Sequence, residues 1–172
     1  MKSSYDLFST PVWHLKGISQ ELVDKLYQGA YRFKKKYPSN QKSNQGGYQT
    51  PPLEWKNFHP QGIEYIDKVV GDIFNEIKVT KWWYNINPKG TWNAPHSHTG
   101  SDLALVLYLT DTDNLLTFIN PFCQRKLNEV SGYAPKTQKG DILMFPADLM
   151  HYVMPNPREE DRISISMNLQ LC

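Results

Sequence analysis

Between residues 19 and 37 the apolar side chains Leu22, Val23, Leu26, Ala30, Tyr31 and Phe33 recur at helical spacing, which predicts an amphipathic helix. Ser19 offers an N-cap and Pro38 a stop. A second stripe, Ile63, Ile66, Val69, Val70, Ile73, Phe74 and Ile77, predicts another helix over residues 60–78. Residues 42–52 between them are rich in Gly, Asn, Gln and Ser and read as a loop, stiffened at its end by Pro51 and Pro52.

After Val79 the period shortens. Residues 81–86, 103–109, 115–119, 141–145, 151–154 and 162–171 are strand-like runs, broken by turn residues such as Gly90, Asn114, Pro121, Gly132, Gly140 and Pro155. Closely spaced strands without intervening helices predict an antiparallel jelly roll rather than βαβ units. The expected fold is therefore mainly β with N-terminal helices. Its 172 residues suit one domain, with helical and loop support over 1–79 and a β core over 80–172.

Composition narrows the partners more than the chemistry. Nineteen basic and seventeen acidic residues leave a net charge of +2, too little to imply binding to nucleic acid or to a membrane surface. The basic run at residues 32–36 ends the first predicted helix, where cations complement the dipole. Cys123 and Cys172 have no metal-type spacing and do not make a disulfide framework. Met1 is followed by Lys2 and polar residues, and no apolar run approaches membrane-spanning length. A soluble, cytoplasmic protein is the expectation.

Chemistry concentrates around His96, Ser97 and His98, just before one β run, and around His151 at the head of another. Residues i and i+2 of a strand share a face, so His96 and His98 can converge, and His151 can join them from a paired strand. Imidazole suits iron, copper, nickel and zinc, and three protein ligands leave positions open for other ligands. Further on, Arg162, Ser164 and Ser166 alternate with Ile163, Ile165 and Met167, so a polar face lines something polar or wet. A guanidinium there suits a carboxylate, with Ser164 adding a hydroxyl; the competing reading is a surface ion pair with Asp161 or Glu160. Before the first histidine stand Trp82, Trp83, Tyr84 and Trp92, interleaved with Asn85, Asn87 and Asn93. Core packing is expected for Trp82 and Trp83, unless one alternating face walls a pocket with Tyr84 as a hydroxyl donor.

In this order, His96-Ser97-His98, the strand Leu105-Val106-Leu107-Tyr108-Leu109, residues 140–146 ending in Phe145-Pro146, His151, Pro155 and the Arg-x-Ser-x-Ser-x-Asn run at 162–168 resemble the 2-oxoglutarate and Fe(II)-dependent oxygenases. The resemblance covers residues 81–171 and is nearest to a small group with HxH as its first metal motif, similar to prolyl hydroxylase-like enzymes. The upstream segment Ser43-Asn44-Gln45-Gly46-Gly47-Tyr48-Gln49 is similar to one that group carries. The resemblance implies a double-stranded β-helix core, Fe(II) on His96 and His151, and 2-oxoglutarate held through its distal carboxylate by Arg162 and Tyr108, with Ser164 at the RxS position. It further implies O2 as co-substrate, succinate and CO2 as products, and a substrate such as a protein or peptide prolyl side chain. Most of the superfamily has HxD or HxE, so the third ligand is left among His98, which the spacing favours, Asp102, and water. Two other classes stay open: a cupin-like three-histidine dioxygenase without 2-oxoglutarate, and a non-catalytic jelly-roll binding module. Residues 43–49 are expected to be either a lid or a plain connection.

Overall fold

The cap at Ser19 forms as its side chain allows: Oγ accepts a hydrogen bond from Leu22 N at 3.2 Å. In this computed structural model, which describes residues 9–40, 42–120 and 132–172, a short strand β1 (Trp13–Leu15) precedes helix α1 (Gln20–Lys36). Three lysines, Lys34, Lys35 and Lys36, close the last turn of α1 ahead of Pro38. The loop predicted for 42–52 contains two short strands, β2 (Asn44–Gln45) and β3 (Tyr48–Gln49). Helix α2 (Pro60–Gly71) starts on Pro60 but ends before Lys78. Gly71, Asp72 and Asn75 are poor helix formers, and Ile77 leaves the helical stripe to open strand β4 (Ile77–Asn87), where it pairs with Leu171.

The remaining strands are β5 (Trp92–His96), β6 (Leu103–Tyr108), β7 (Leu116–Ile119), β8 (Gly132–Tyr133), β9 (Ile142–Pro146), β10 (His151–Val153) and β11 (Arg162–Leu171). They form a six-stranded sheet in the order β1-β9-β6-β11-β4-β3 and a five-stranded sheet in the order β2-β5-β10-β7-β8. Every pairing is antiparallel, so the architecture is the expected jelly roll with two helices. Pro121 and Cys123 lie outside the described residues; Cys172 is an exposed free thiol. Among the described residues no helix is long and apolar enough to cross a membrane.

Strand β11 sits at the centre of the larger sheet and separates two environments. Ile163, Ile165, Met167 and Leu169 join Trp82, Tyr84, Ile86, Leu105 and Leu107 against Leu22, Leu26 and Ile66 of the helices. The opposite face of β11 carries Arg162, Ser164 and Ser166, all buried between the sheets. There a smaller apolar cluster of Val106, Leu116, Phe118, Phe145 and Val153 leaves room for polar side chains. The helices thus take up one face of the sheet and leave the site on the other.

Residues 43–49 cross from one sheet to the other, since β2 pairs with β5 and β3 with β4. Gly47 N donates to Asn44 Oδ1 at 2.9 Å. A Cβ on Gly47 would meet Asn44 Oδ1 at 2.6 Å and the Ile86 carbonyl at 2.7 Å, and the carbonyl belongs to paired backbone. Gly47→Ala is therefore expected to destabilise the fold by about 1–3 kcal/mol, read from urea denaturation. An unchanged midpoint would show that this crossing relaxes freely.

Candidate metal centre and cosubstrate cavity

His96 ends β5 and His151 begins β10, and the two are direct register partners. His98 lies just beyond β5, so its approach does not come from strand alternation. Its backbone N–H donates to Ala147 O at 2.7 Å, and the chain then turns through Gly100 at φ +86°. The outcome is a tight cluster: ring centroids of His96 and His151 are 4.3 Å apart, and those of His98 and His151 are 5.2 Å apart. One nitrogen of each ring lies within 4.8 Å of the other two.

The surroundings set which nitrogen faces inward. Nδ1 of His96 lies 2.7 Å from Ala94 O, Nδ1 of His98 2.7 Å from Asn168 Oδ1, and Nδ1 of His151 2.8 Å from Leu149 O. Each oxygen can only accept, so each Nδ1 carries the proton and each Nε2 turns a lone pair towards the centre. His98 Nε2 and His151 Nε2 then stand 3.3 Å apart with no proton between them. Two opposed lone pairs are an arrangement that a cation resolves, and neutral imidazole is a good ligand for a transition metal.

Burial lowers the proton affinity of all three rings, to about 4 for His98 and about 3 for His151, with His96 adding to the effect on both. At neutral pH they are uncharged and ready to ligate. Below pH 6.5 the unfolded chain takes up protons that folded His98 and His151 refuse. Metal-free protein should therefore lose stability as pH falls from 6.5 towards 4, by about 1.4 kcal/mol per pH unit for each histidine. Urea melts at pH 7 and 5 test this, and replacing both by Asn should flatten the profile. An equally steep fall in that double variant would place the effect elsewhere.

Asp102 does not enter the centre. It is exposed beyond the Gly100 turn, and its carboxylate accepts from Leu171 N at 2.9 Å. Among the described residues the three histidines form the one group with metal-ligand geometry.

Arg162 is 5% exposed and, among the described residues, has one hydrogen bond, from Nη2 to Asn87 Oδ1 at 3.2 Å; its Nε has no partner there. Buried as it is, Arg162 forms no ion pair with Asp161 or Glu160, and Asp161 instead accepts from Tyr31 Oη at 2.9 Å, so the surface ion-pair reading does not hold. Burial pushes the guanidinium down to about 10, which still leaves it charged at neutral pH. Tyr108 is 1% exposed and its hydroxyl makes no well-formed hydrogen bond to another described residue, the Thr137 side chain lying near it. Burial raises its pKa, opposed by the nearby Arg162 charge. Tyr108 and Ser164 are register partners across β6 and β11. A buried cation and a buried phenol left open are costly unless an anion completes them.

One narrow cavity joins these groups to the histidines, with Trp83, Asn85, Val106 and Leu116 among its walls. Trp83, Asn85 and Asn87 take the site face of β4, whereas Trp82, Tyr84 and Ile86 take the helix face. Trp83 is thus a site wall rather than core, stacked on His98 at 5.6 Å. Tyr84 donates to Leu26 O at 2.9 Å and is no site hydroxyl. Sequence reasoning gave no role to Asn168, which orients His98, or to Asn87, which holds Arg162. Their signal was present, because both share alternating faces with residues already singled out.

Residues 81–168, just over half of the chain, match a family model described as "Putative 2OG-Fe(II) oxygenase". The chain belongs to this 2-oxoglutarate and Fe(II)-dependent oxygenase family. Membership decides against a 2-oxoglutarate-independent cupin and against a binding module. No curated protein sequence matches this oxygenase, and its solved structural neighbours are distant. A prolyl-4-hydroxylase from Pseudomonas putida superposes with a TM-score of 0.72 at 13% identity, covering 95% of this chain and 94% of its own. HygX from Streptomyces hygroscopicus, with nickel and 2-oxoglutarate bound, gives 0.69 at 12% identity, covering 94% and 83%. The non-heme α-ketoglutarate-dependent epimerase SnoN from nogalamycin biosynthesis gives 0.72 at 14% identity, covering 92% and 77%. These likenesses show the jelly-roll fold. The oxygenase's metal is Fe(II) and its cosubstrate 2-oxoglutarate, and the open donor set described above fits both.

Proposed function

We propose that the protein is a 2-oxoglutarate-dependent hydroxylase in which His96, His98 and His151 hold Fe(II) and Arg162, Tyr108 and Ser164 hold the distal carboxylate of 2-oxoglutarate. The observation carrying this reading is the pairing, within one cavity, of three inward Nε2 lone pairs with a buried guanidinium that no carboxylate among the described residues satisfies. Bound together, Fe(II) and 2-oxoglutarate supply the oxidation, converting O2 and the keto acid to succinate, CO2 and one oxygen atom for a substrate C–H bond.

The protein's own part is positioning. Arg162 presents a planar fork to the carboxylate, and Tyr108 adds a hydroxyl donor from the facing strand. Asn87 steadies the guanidinium, and Asn168 steadies the His98 ring. Val106, Leu116 and Val153 supply the apolar part of a wall that is otherwise polar, and the burial of the cavity strengthens the polar contacts inside. The preferred substrate class is a protein prolyl side chain, supported by similarity to prolyl hydroxylase-like enzymes at the Tyr108 strand and Arg162.

Anaerobic addition of Fe(II) and 2-oxoglutarate should produce the weak visible charge-transfer band of the chelate, and admission of O2 should yield succinate. Mass spectrometry of a proline-containing peptide should show the gain of one oxygen. Absence of both band and succinate in folded, metal-loaded protein would refute the reading. Succinate without an oxygenated peptide would remove the prolyl substrate alone.

A further inference from the structure

The histidines separate two spaces of very different size. The inner cavity has a volume of about 30 Å³, whereas the space outside the histidines has about 450 Å³. At about 10–15 Å³ per water molecule on this measure, the inner space is a slot for a slim unbranched chain. A bulkier molecule fits only outside, against Gln49, Trp83, Pro95 and Lys42.

Gln49 is the most informative of these. It pairs in register with Asn85, so it faces the site side of the sheet. The residue is 3% exposed, yet its buried Oε1 has no partner, and its side chain makes no hydrogen bond to another described residue. An unfilled buried acceptor at a pocket wall calls for a donor from a ligand. Trp83 lines both spaces and offers a flat surface beside it.

Charge narrows the class further. Among the described residues lining the outer pocket there is no carboxylate, and Lys42 is its formally charged side chain. The three imidazoles are neutral ligands, unlike a triad containing a carboxylate. Fe(II) and Arg162 bring three positive charges and the cosubstrate two negative, so the loaded centre keeps one positive charge before Lys42 is counted. Such a field favours an anionic partner and disfavours a cationic one.

We propose that this outer pocket is the primary-substrate subsite and selects acidic substrates, with a ring or planar group against Trp83 and an N–H or O–H donated to Gln49 Oε1. The inference rests on the hydroxylase reading above and names its specificity residues as Gln49, Trp83 and Lys42. Protein loaded with Ni(II) and 2-oxoglutarate does not turn over, so binding can be read by calorimetry. The probes are two peptides, acetyl-Glu-Ala-Pro-Ala-Glu-amide and acetyl-Lys-Ala-Pro-Ala-Lys-amide.

The acidic peptide should bind at least tenfold more tightly than the basic one, and Lys42→Glu should erase that preference. Gln49→Met should weaken the acidic peptide about fivefold or more while the melting temperature holds or rises, because a buried unpartnered oxygen is replaced by an apolar side chain of similar length. Equal affinities, preference for the lysine peptide, or binding of neither would overturn the proposal. So would a Gln49→Met variant that melts lower yet binds as before, since Gln49 would then be structural. Binding of 2-oxoglutarate to the same Ni(II) protein separates the two claims. Its presence without acidic preference sinks this inference alone, and its absence sinks the hydroxylase reading as well.

Discussion

His151→Ala should abolish stoichiometric Fe(II) binding and, with it, succinate formation. His151 stands directly opposite His96, 3.3 Å by nitrogen from His98, so it is the shared neighbour of the other two rings. Outer-shell partners of a ligating histidine are each worth about 10–100-fold in metal affinity, and a ligand itself must exceed that. We expect a loss of more than about a hundredfold on that scale. The ring also packs 4.8 Å from Phe145, so the alanine variant should lose some stability to the resulting cavity. His151→Gln keeps most of the volume and separates the two effects: it should fold like the parent and still fail to hold iron. Unchanged Fe(II) stoichiometry in the glutamine variant would remove His151 from the centre.

Arg162→Ala comes second in size and should raise the 2-oxoglutarate requirement by roughly 10- to 150-fold, from about 1.5–3 kcal/mol for a hydrogen bond to a charged group. The fold should tolerate the change better than the loss of an ion-paired arginine. Among the described residues Arg162 has one hydrogen bond and no carboxylate, and Asn87 Oδ1 keeps the Asn44 Nδ2 donor at 3.4 Å, so truncation removes an incompletely satisfied buried charge rather than orphaning another charge. Arg162→Lys keeps the charge but not the fork and should fall between the two. The KM for 2-oxoglutarate measured by succinate release decides. An unchanged KM would clear Arg162 of the role.

Much of this site is legible in the sequence because strand periodicity is rigid. Once residues 162–168 are taken as a strand, Arg162, Ser164 and Ser166 must share a face, and the apolar set opposite must be core. The same rule applied to β4 correctly separates Trp83 from Trp82, but hydrophobicity alone cannot say which of two tryptophans faces helices and which faces the cavity. Strands of two or three residues, such as β1, β2 and β3, carry too short a period to register, and pairing with β9, β5 and β4 creates them. The segment 43–49 therefore looked like a lid or a loop and proved to be a crossing between sheets.

The two helices and six of the strands in their order, the two-faced strands, the cap at Ser19 and the chemical inventory of three imidazoles and one guanidinium were determined by sequence, since each follows from local geometry or residue chemistry. Tertiary structure decided the rest. It brought His98, and not Asp102, up to the other two histidines, gave the His98 Nδ1 an acceptor on Asn168, and paired Ile77 with Leu171 so that β4 opens there. Those outcomes depend on distances between residues as far apart in the chain as 98 and 168, and no local pattern encodes a distance of that kind.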